Sequence, residues 1–258
     1  MNYLVSIIMP SYNTANFIKD SINSVLCQTY KNFELIIIDD CSNDDTEKII
    51  ASYHDNRIKF IKLSKNSGAA IARNMALKEA KGKWIAFLDS DDIWQPNKLE
   101  KQIAFMVSNK YSFSYTNYIE IDETSNPNGR FVTGPKHITQ KGMFNYCWPG
   151  CLTVMYDAER IGLIQIEDIK KNNDYAMWLK ICKKADCYLL DEVLAKYRRG
   201  RKGSVCSQSY FTMIKWHYLL FKNAEKKNVI TSIVFTFNNL IFGCIKKIIY
   251  CRTVKKEG

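Results

Sequence analysis

Three short apolar runs, each followed by polar residues, constrain the fold of this chain more than any other feature. Residues 4–9, 33–38 and 84–88 are almost continuously apolar, as expected of strands covered on both faces of a sheet. A fourth run, residues 57–63, alternates apolar and polar side chains and is predicted to lie nearer an edge. Stretches with helical periodicity separate these runs. The alternation predicts an α/β fold with a doubly wound, mostly parallel sheet flanked by helices.

Charge divides the 258 residues into a neutral body and a basic tail. Residues 196–258 carry 14 Lys and Arg against 2 Asp and Glu, a net charge of +12. The chain totals of 37 and 26 leave 23 and 24 for residues 1–195, a net charge of −1. This asymmetry indicates an anionic partner for the C-terminal segment, either membrane phospholipid or nucleic acid.

The tail also carries an apolar stretch, residues 229–245, which is interrupted by Asn238 and Asn239 and followed by lysines. It is too short and too interrupted to be a convincing transmembrane span. Apolar residues interleaved with lysine are typical of an amphipathic helix that lies on an anionic membrane surface. A helix packed on the body and a shallow membrane span are the alternatives. The apolar residues expected to contribute are Ile241, Phe242, Ile245, Ile248 and Ile249.

The N-terminus and the cysteines both favour a cytosolic protein. Residues 1–3 lead directly into the first apolar run without a basic segment, so we expect no signal peptide. Nine cysteines are an odd number, and their spacing matches neither a disulfide framework nor a zinc finger. We therefore expect reduced thiols.

Polar residues follow three of the predicted strands, and the carboxyl ends of parallel strands are where such sheets bind ligands. Asp89, Ser90 and Asp91 follow residues 84–88. Alternating carboxylates at a strand end can present oxygens to one Mg²⁺ or Mn²⁺ ion, which in turn binds a diphosphate. An acidic turn that caps the next helix is the alternative.

Three further residues are candidates for a nucleotide site. Asp40 follows the second apolar run and can accept a hydrogen bond from a base N–H, although it can equally cap a helix. Tyr12, in the turn formed by residues 10–13, offers a ring for stacking on a base, unless this is an ordinary strand-to-helix turn. Arg73, on a predicted helix, can approach a phosphate, although a lone helical arginine is often simply solvated.

Taken together, five motifs in this order resemble the family 2 glycosyltransferases, inverting enzymes with the GT-A fold. The motifs are residues 5–13, 24–30, 34–42, 66–74 and 87–92. The resemblance is strong over residues 4–120 and weak to about residue 205. It implies a nucleotide-sugar donor, UDP-linked in our prediction, and a divalent cofactor, Mn²⁺ or Mg²⁺, held by Asp91 with Asp89. The residues predicted to contact the nucleotide are Pro10, Tyr12, Asn13, Asp40, Arg73, Asp89 and Ser90.

The resemblance also implies a catalytic base. Members of this family usually carry an acidic pair before an aromatic-rich helix, and the Asp of the pair deprotonates the acceptor hydroxyl. Asp174 occupies that position here, but Asn173 replaces the usual Glu. A helix N-terminal acid, favoured by the helix dipole, is the alternative for Asp174.

A second implied element is the basic loop formed by residues 197–204. In relatives the corresponding loop folds over the diphosphate, and a solvated basic loop is the alternative. The candidate diphosphate ligands are Arg198, Arg199, Arg201 and Lys202.

The prediction is therefore a GT-A catalytic domain, residues 1–205, followed by a membrane-associating tail, residues 206–258. Residues 1–120 would bind the donor and residues 121–205 the acceptor, a lipid-linked sugar or polysaccharide. The enzyme would lie at the cytoplasmic face of the cell membrane. A nucleotidyltransferase is one alternative, but the first strand is followed by residues 10–13, not by a Gly- and Lys-rich loop. A noncatalytic nucleic-acid-binding protein is another, supported by charge alone, and we expect no nucleic acid partner.

Overall fold

The computed structural model describes residues 3–169, 171–200 and 210–253. Its strands are β1 (Val5–Ser11), β2 (Phe33–Asp39), β3 (Ile58–Lys62), β4 (Trp84–Phe87), β5 (Ile93–Trp94), β6 (Phe113–Ile121), β7 (Pro127–Val132), β8 (His137–Ile138), β9 (Met155–Asp157), β10 (Cys187–Arg198) and β11 (Cys251–Thr253). Its α-helices are α1 (Ile18–Leu26), α2 (Thr46–Ala51), α3 (Ala69–Glu79), α4 (Lys98–Asn109), α5 (Gln140–Asn145), α6 (Ala158–Ile161), α7 (Asn173–Cys182), α8 (Tyr210–Leu219) and α9 (Val229–Ile245).

The strands in this part of the chain form one mixed sheet. Strands β3, β2, β1 and β4 are parallel and adjacent in that order, so β3 lies at the edge, as its alternating pattern predicted. Beyond β4 the sheet continues through β9, which is antiparallel to both β4 and β6, and β10 runs parallel to β6. The predicted doubly wound α/β architecture is confirmed, and each antiparallel pair among the described strands includes at least one of the strands β7 to β11.

Alternate residues of each central strand enter two different cores. Ile7 and Leu35 face the layer that contains α1 and α4, whereas Ile8 and Ile36 face the layer that contains α3 and α7. All four side chains are fully buried. Burial of one such side chain contributes roughly 1.5–3 kcal/mol. This two-sided burial is why the strands appear in the sequence as continuous apolar runs.

The loop predicted at residues 123–136 is wrong, because β7 lies within it. Strand β7 pairs antiparallel with β6 on one side and with β11 on the other. The turn before it is built by Asp122, whose Oδ1 accepts hydrogen bonds from the backbone N–H groups of Thr124 and Asn126 at 2.9 Å. Pro127 occupies the first strand position, where proline is tolerated. Because turn-forming residues are common in residues 123–136, the sequence pattern did not reveal the hairpin formed by β6 and β7.

The tail packs on the body of the protein. Lys183, directly after α7, forms an ion pair with the buried Glu225 at 2.6 Å. Nδ2 of Asn239 in α9 lies 3.2 Å from the hydroxyl of Tyr175 in α7. Strand β11 joins the sheet through β7. The tail therefore contacts both ends of α7, while the proposed boundary near residue 205 lies outside the described residues and stays a prediction.

A buried lysine is an unusual feature of the α4 layer. Lys98 is fully buried, its Nζ donates to Oε1 of Gln102 at 2.7 Å and lies 4.1 Å from the centroid of the Trp94 ring. Burial lowers the pKa of Lys98 to about 7. In an unfolded chain the pKa of lysine is about 10.4, so between these pH values the unfolded state binds more protons.

We therefore expect stability to depend on pH through Lys98. The unfolding free energy of the parent should rise relative to that of Lys98→Met as pH increases from 7 to 10, by at most about 1.4 kcal/mol per pH unit. Urea denaturation at several pH values measures this difference. Lys101→Met, which removes a half-exposed lysine of the same helix, is the control. A parent-minus-variant difference that stays constant for Lys98→Met would contradict the argument.

Candidate active site

The polar ends of three parallel strands meet at one edge of the sheet. The backbone N–H of Asp40, directly after β2, donates to the carbonyl of Ser11 at the end of β1 at 2.8 Å. On the other side of β1, the N–H of Leu88 donates to the carbonyl of Ile8 at 3.1 Å. The residues that follow β1, β2 and β4 are therefore neighbours, as the sequence predicted for a parallel sheet.

The turns after β1 and β2 are joined by a hydrogen-bonded network. Ser42 donates its backbone N–H to Oδ2 of the fully buried Asp39 at 2.9 Å and accepts the N–H of Asn13 on its hydroxyl at 2.8 Å. The side chain of Asn13 in turn accepts the N–H of Asn43 at 3.0 Å. This network fixes residues 10–13, and the ring of Tyr12 beside them is 44% exposed and accessible to a planar ligand.

Asp40 caps a helix, but not the one next to it in the sequence. Its two carboxylate oxygens accept the backbone N–H groups of Ser67 and Gly68, each at 2.7 Å, at the start of α3. Gly68 has a φ of +93°, a conformation that favours glycine. Asp40 therefore ties the end of β2 to the helix that carries Arg73, and its contact with a base stays a prediction.

Arg73 connects the two halves of the site. Its Nη2 donates to Oδ1 of Asp89 at 2.5 Å, and its Nη1 donates to Oδ1 of Asn173 at 2.6 Å. The side chain is buried, and its Nε has no hydrogen-bond partner among the described residues. A buried guanidinium with a carboxylate partner is held in one position, because separating the two charges would leave each without compensation.

Negative charge is concentrated after β4. Burial raises the pKa of Asp92 well above its usual range, and the carboxylates of Asp91 and Asp89 raise it further. Oδ1 of Asp92 accepts the N–H of Arg198 at 2.8 Å, whereas its Oδ2 is buried without a partner in the described part of the chain. Ser90, between the acids, is also buried.

This acidic segment fits a divalent cation bound jointly with a substrate. Within the described ranges no three His, Cys, Asp or Glu side chains are grouped as metal ligands. Mg²⁺ is commonly held by one or two carboxylates, with substrate phosphates and water completing its shell. Asp89 is paired with Arg73, and Oδ2 of Asp92 is buried without a partner among the described residues. The binding of a cation by Asp91 with Asp89 stays a prediction.

Arg198, at the end of β10, joins the acidic segment after β4 to the turn after β6. All five of its N–H donors have acceptors in the protein, and its side chain is fully buried. The acceptors are the carbonyls of Asp91, Asp122 and Glu123, Oδ2 of Asp20 and the hydroxyl of Ser125. A diphosphate is not needed to satisfy this guanidinium, and its predicted contact with one stays a prediction.

The other basic-loop candidates are distributed differently. The side chain of Arg199 is 44% exposed, and its Nε lies 3.3 Å from Oε1 of Glu120. Arg201 and Lys202 lie outside the described residues.

Asp174 lies in the first turn of α7, next to Asn173 and hence to Arg73. Its Oδ1 accepts the backbone N–H of Tyr175 at 2.8 Å. Burial raises the pKa of Asp174, the Arg73 guanidinium opposes this shift, and the Asp89 carboxylate adds to it. A carboxylate with a raised pKa is a stronger base than an ordinary aspartate. Through its bonds to Asp89 and Asn173, Arg73 brings the start of α7 close to the acids after β4.

Comparison with known proteins identifies the family of this chain. The family model described as "Glycosyl transferase family 2" matches residues 6–154. The chain belongs to this family. The match covers β1 to the loop before β9 and includes the whole acidic segment after β4. The chain is therefore a glycosyltransferase, and nucleotidyl transfer and noncatalytic nucleic-acid binding are no longer needed to explain its sequence.

Two relatives and one solved structure are similar to this chain. The chain is 44% identical over 198 residues to the putative teichuronic acid biosynthesis glycosyltransferase TuaG of Bacillus subtilis, covering 76% of this chain and 79% of TuaG. It is 41% identical over 248 residues to the UDP-Glc:α-D-GlcNAc-diphosphoundecaprenol β-1,3-glucosyltransferase WfgD of Escherichia coli, covering 95% of each. The fold matches S. aureus TarS in complex with UDP-GlcNAc, with a TM-score of 0.69 and 23% identity over 92% of this chain and 71% of that chain. These proteins confirm the GT-A fold.

Two functional contacts were not predicted. Asn173, noticed only as a departure from the family pattern, accepts a hydrogen bond from Arg73. Arg198 donates to three backbone carbonyls and two side-chain oxygens of the protein, contacts that the sequence did not predict, and its predicted contact with the diphosphate stays a prediction. The position of Arg198 at the end of β10, directly before the basic loop, was the only signal for a structural role, and sequence patterns do not distinguish a buried arginine from an exposed one.

We expect Arg73 to set the pH dependence of this enzyme. In its predicted role as the base, Asp174 must be deprotonated, so we expect activity to fall as pH drops through its pKa. Arg73→Gln removes a charge that lowers this pKa, so the acidic limb of kcat/KM should move to higher pH, in addition to a loss of rate. The measurement is sugar transfer against pH.

Arg57→Gln provides the matched control, because Arg57 pairs with Asp55 away from this site. An acidic limb at the same pH in Arg73→Gln and in the parent would show that Arg73 does not tune the base.

Proposed function

We propose that this glycosyltransferase is an inverting, metal-dependent enzyme that moves a sugar from a UDP-sugar to a sugar carried on a diphospho-lipid, in the synthesis of a bacterial surface polysaccharide. WfgD, which aligns along almost the whole chain, is named for such a donor and such an acceptor. A second E. coli protein with the same activity in its name, WfaP, is 40% identical over 243 residues. These names support the substrate classes proposed here.

The observation that carries the proposal is the double contact of Arg73. It brings the acids after β4, which would face the donor diphosphate, to the start of α7, where the candidate base lies. A single residue thereby sets the spacing between leaving group and base. Such fixed positioning of reacting groups is a principal source of catalytic rate.

The donor would bind across the ends of β1, β2 and β4. The exposed ring of Tyr12 is placed to stack on the base, with Pro10 and Asn13 shaping the turn beside it and Asp40 as the acceptor for a ring N–H. Asp91, with Asp89, would hold Mn²⁺ or Mg²⁺. Such an ion, when bound, offsets the charge that develops on a departing diphosphate.

The acceptor would approach from the side of α7. Asp174 would take the proton from the attacking hydroxyl as its oxygen forms a bond to the anomeric carbon, and the bond from that carbon to the diphosphate oxygen would break on the opposite side. The configuration is thereby inverted in one step. The raised pKa of Asp174 suits this task, because it brings the strength of the base closer to neutral pH.

Two substitutions separate donor binding from chemistry. Asp91→Ala should abolish Mn²⁺-dependent thermal stabilisation by UDP and abolish transfer. Asp174→Asn should retain that stabilisation and lower transfer by about two orders of magnitude or more, because the amide cannot accept the proton. Thermal shift and release of UDP measure the two effects. Full transfer by either variant would remove that residue from the proposed role.

Membrane association is part of the proposal and is supported by the two faces of α9. The face towards the body carries Ser232, Thr236 and Asn239, all buried. The opposite face exposes large apolar side chains to solvent, including Ile230 at 76% and Phe237 at 62% exposure. An ordinary surface helix buries its apolar face and exposes its polar face, whereas α9 does the reverse. A large exposed apolar stripe marks an interaction site.

The stripe suits a helix lying on the membrane better than one crossing it. Val229–Tyr250 is long and apolar enough to span a bilayer, with a mean hydropathy of 1.5. Spanning would require α9 to leave the body and break the contact of Asn239 with Tyr175 and the pairing of β11 with β7. Lying flat keeps these contacts and buries the stripe in an anionic leaflet at the cytoplasmic face, where the tail's lysines and arginines are also favoured.

We expect apolar-to-acidic changes in the stripe to release the enzyme from membranes. Ile230→Glu with Phe237→Glu should reduce cosedimentation with liposomes that contain anionic lipid, and high salt should release the parent only partly, because burial of apolar surface is not screened. The matched control is Val107→Glu with Leu163→Glu, which alters two exposed apolar residues of the body. Equal cosedimentation of both double variants would refute the anchor.

A further inference from the structure

One cation of the tail points towards the body of the protein. Lys246 follows α9 directly and lies seven residues beyond Asn239, about two turns along the same face of the helix. It is half-buried, and its Nζ donates to the carbonyl of Trp148 at 2.8 Å. The same atom lies 5.4 Å from the centroid of the Tyr146 ring.

This ammonium group has no carboxylate partner within 4 Å in residues 3–169, 171–200 and 210–253. An ammonium group has three N–H donors, and the bond to Trp148 uses one of them. A partly desolvated cation without a counter-charge is unfavourable unless an anion or water completes its environment. Two of its donors therefore have no acceptor among the described residues.

The surroundings of Lys246 are rigid. The Trp148 ring packs edge-on against Tyr146, Phe242 and Tyr250, with ring centroids 5.2, 6.0 and 5.4 Å away. Its Nε1 also donates to the carbonyl of Gly142 at 3.1 Å. Aromatic packing of this kind holds the carbonyl of Trp148, and with it the position of the ammonium group.

Lys246 lies on the face of α9 that packs against the body of the protein, the face that also contacts the start of α7. Burial raises the pKa of the Cys147 thiol, the Asp174 carboxylate raises it further, and the Lys246 ammonium opposes this effect. Cys147 is thus within electrostatic range of both charges. The contact of Asn239 with Tyr175, the residue after Asp174, fixes this part of the tail against the start of α7.

We propose that Lys246 binds the diphosphate of the lipid-linked acceptor and so fixes the acceptor sugar against Asp174. This inference rests on the acceptor class proposed above. A sugar diphosphate has its anion directly next to the sugar ring, so a cation beyond the base, on the side of the membrane-facing tail, is where that anion would lie. Phosphate oxygens accept from lysine as a point charge, without the paired geometry that arginine requires.

The test compares acceptors that differ only in charge. One is N-acetylglucosamine linked through a diphosphate to an undecyl chain, and the other is undecyl N-acetylglucosaminide, which lacks the diphosphate. Lys246→Met should raise KM for the first roughly ten- to a hundred-fold and leave KM for the second unchanged, as expected for loss of one charge-assisted hydrogen bond. Lys246→Arg should recover much of the loss. Lys222→Met, which removes another lysine of the tail, should behave as the parent.

The outcomes distinguish the two proposals. Equal KM changes for both acceptors, or none, would overturn the role of Lys246 and leave the proposed function intact. A parent enzyme that releases UDP from its donor but transfers to neither acceptor would refute the acceptor class and this subsite together. UDP-dependent thermal stabilisation should be the same in Lys246→Met and in the parent, and its loss would indicate a general structural defect in place of a diphosphate subsite.

Discussion

The hydrogen bonds of Arg73 are the interaction on which the site depends. The guanidinium is buried, so it requires a carboxylate, and Asp89 supplies one at the end of β4. Its second bond reaches Asn173 at the start of α7. The helix that carries Arg73 is in turn held by Asp40 through two backbone N–H groups. Because these contacts form one chain from β2 to α7, a change in any of them would move the base relative to the acids after β4.

The replacement of the usual family glutamate by Asn173 has a physical meaning in this arrangement. A glutamate there would give the Arg73 guanidinium a second carboxylate and add negative charge beside Asp174. The asparagine keeps an acceptor for Arg73 but adds no charge, so Asp89 is the single carboxylate paired with this arginine among the described residues. Less negative charge beside Asp174 favours its ionised form. Asn173 therefore keeps the link between Arg73 and α7 without adding negative charge beside Asp174.

The tail also contacts α7, at both ends of the helix. Glu225 pairs with Lys183 beyond the end of α7, and Asn239 contacts Tyr175 near its start. Polar residues of α9 form the contact with the body, so its apolar residues face outward. A surface helix ordinarily has the opposite arrangement, because burial of the apolar face stabilises the fold. The same packing that supports α7 thus creates the surface proposed for the membrane and leaves Lys246 on the face of the tail that contacts the body.

The sequence by itself determined the strands β1 to β4 and the common edge at which the residues after β1, β2 and β4 meet, because burial on both faces makes strands continuous apolar runs and parallel strands end at one edge. It also identified Asp174 as the candidate base. Only the tertiary structure decided which partner each polar residue has: Asp40 caps α3, not the adjacent α2, and Arg198 is buried under backbone carbonyls. Strand β7 and the inward direction of Lys246 were likewise hidden. Local patterns record periodicity and propensity, whereas these features depend on contacts between residues distant in the chain.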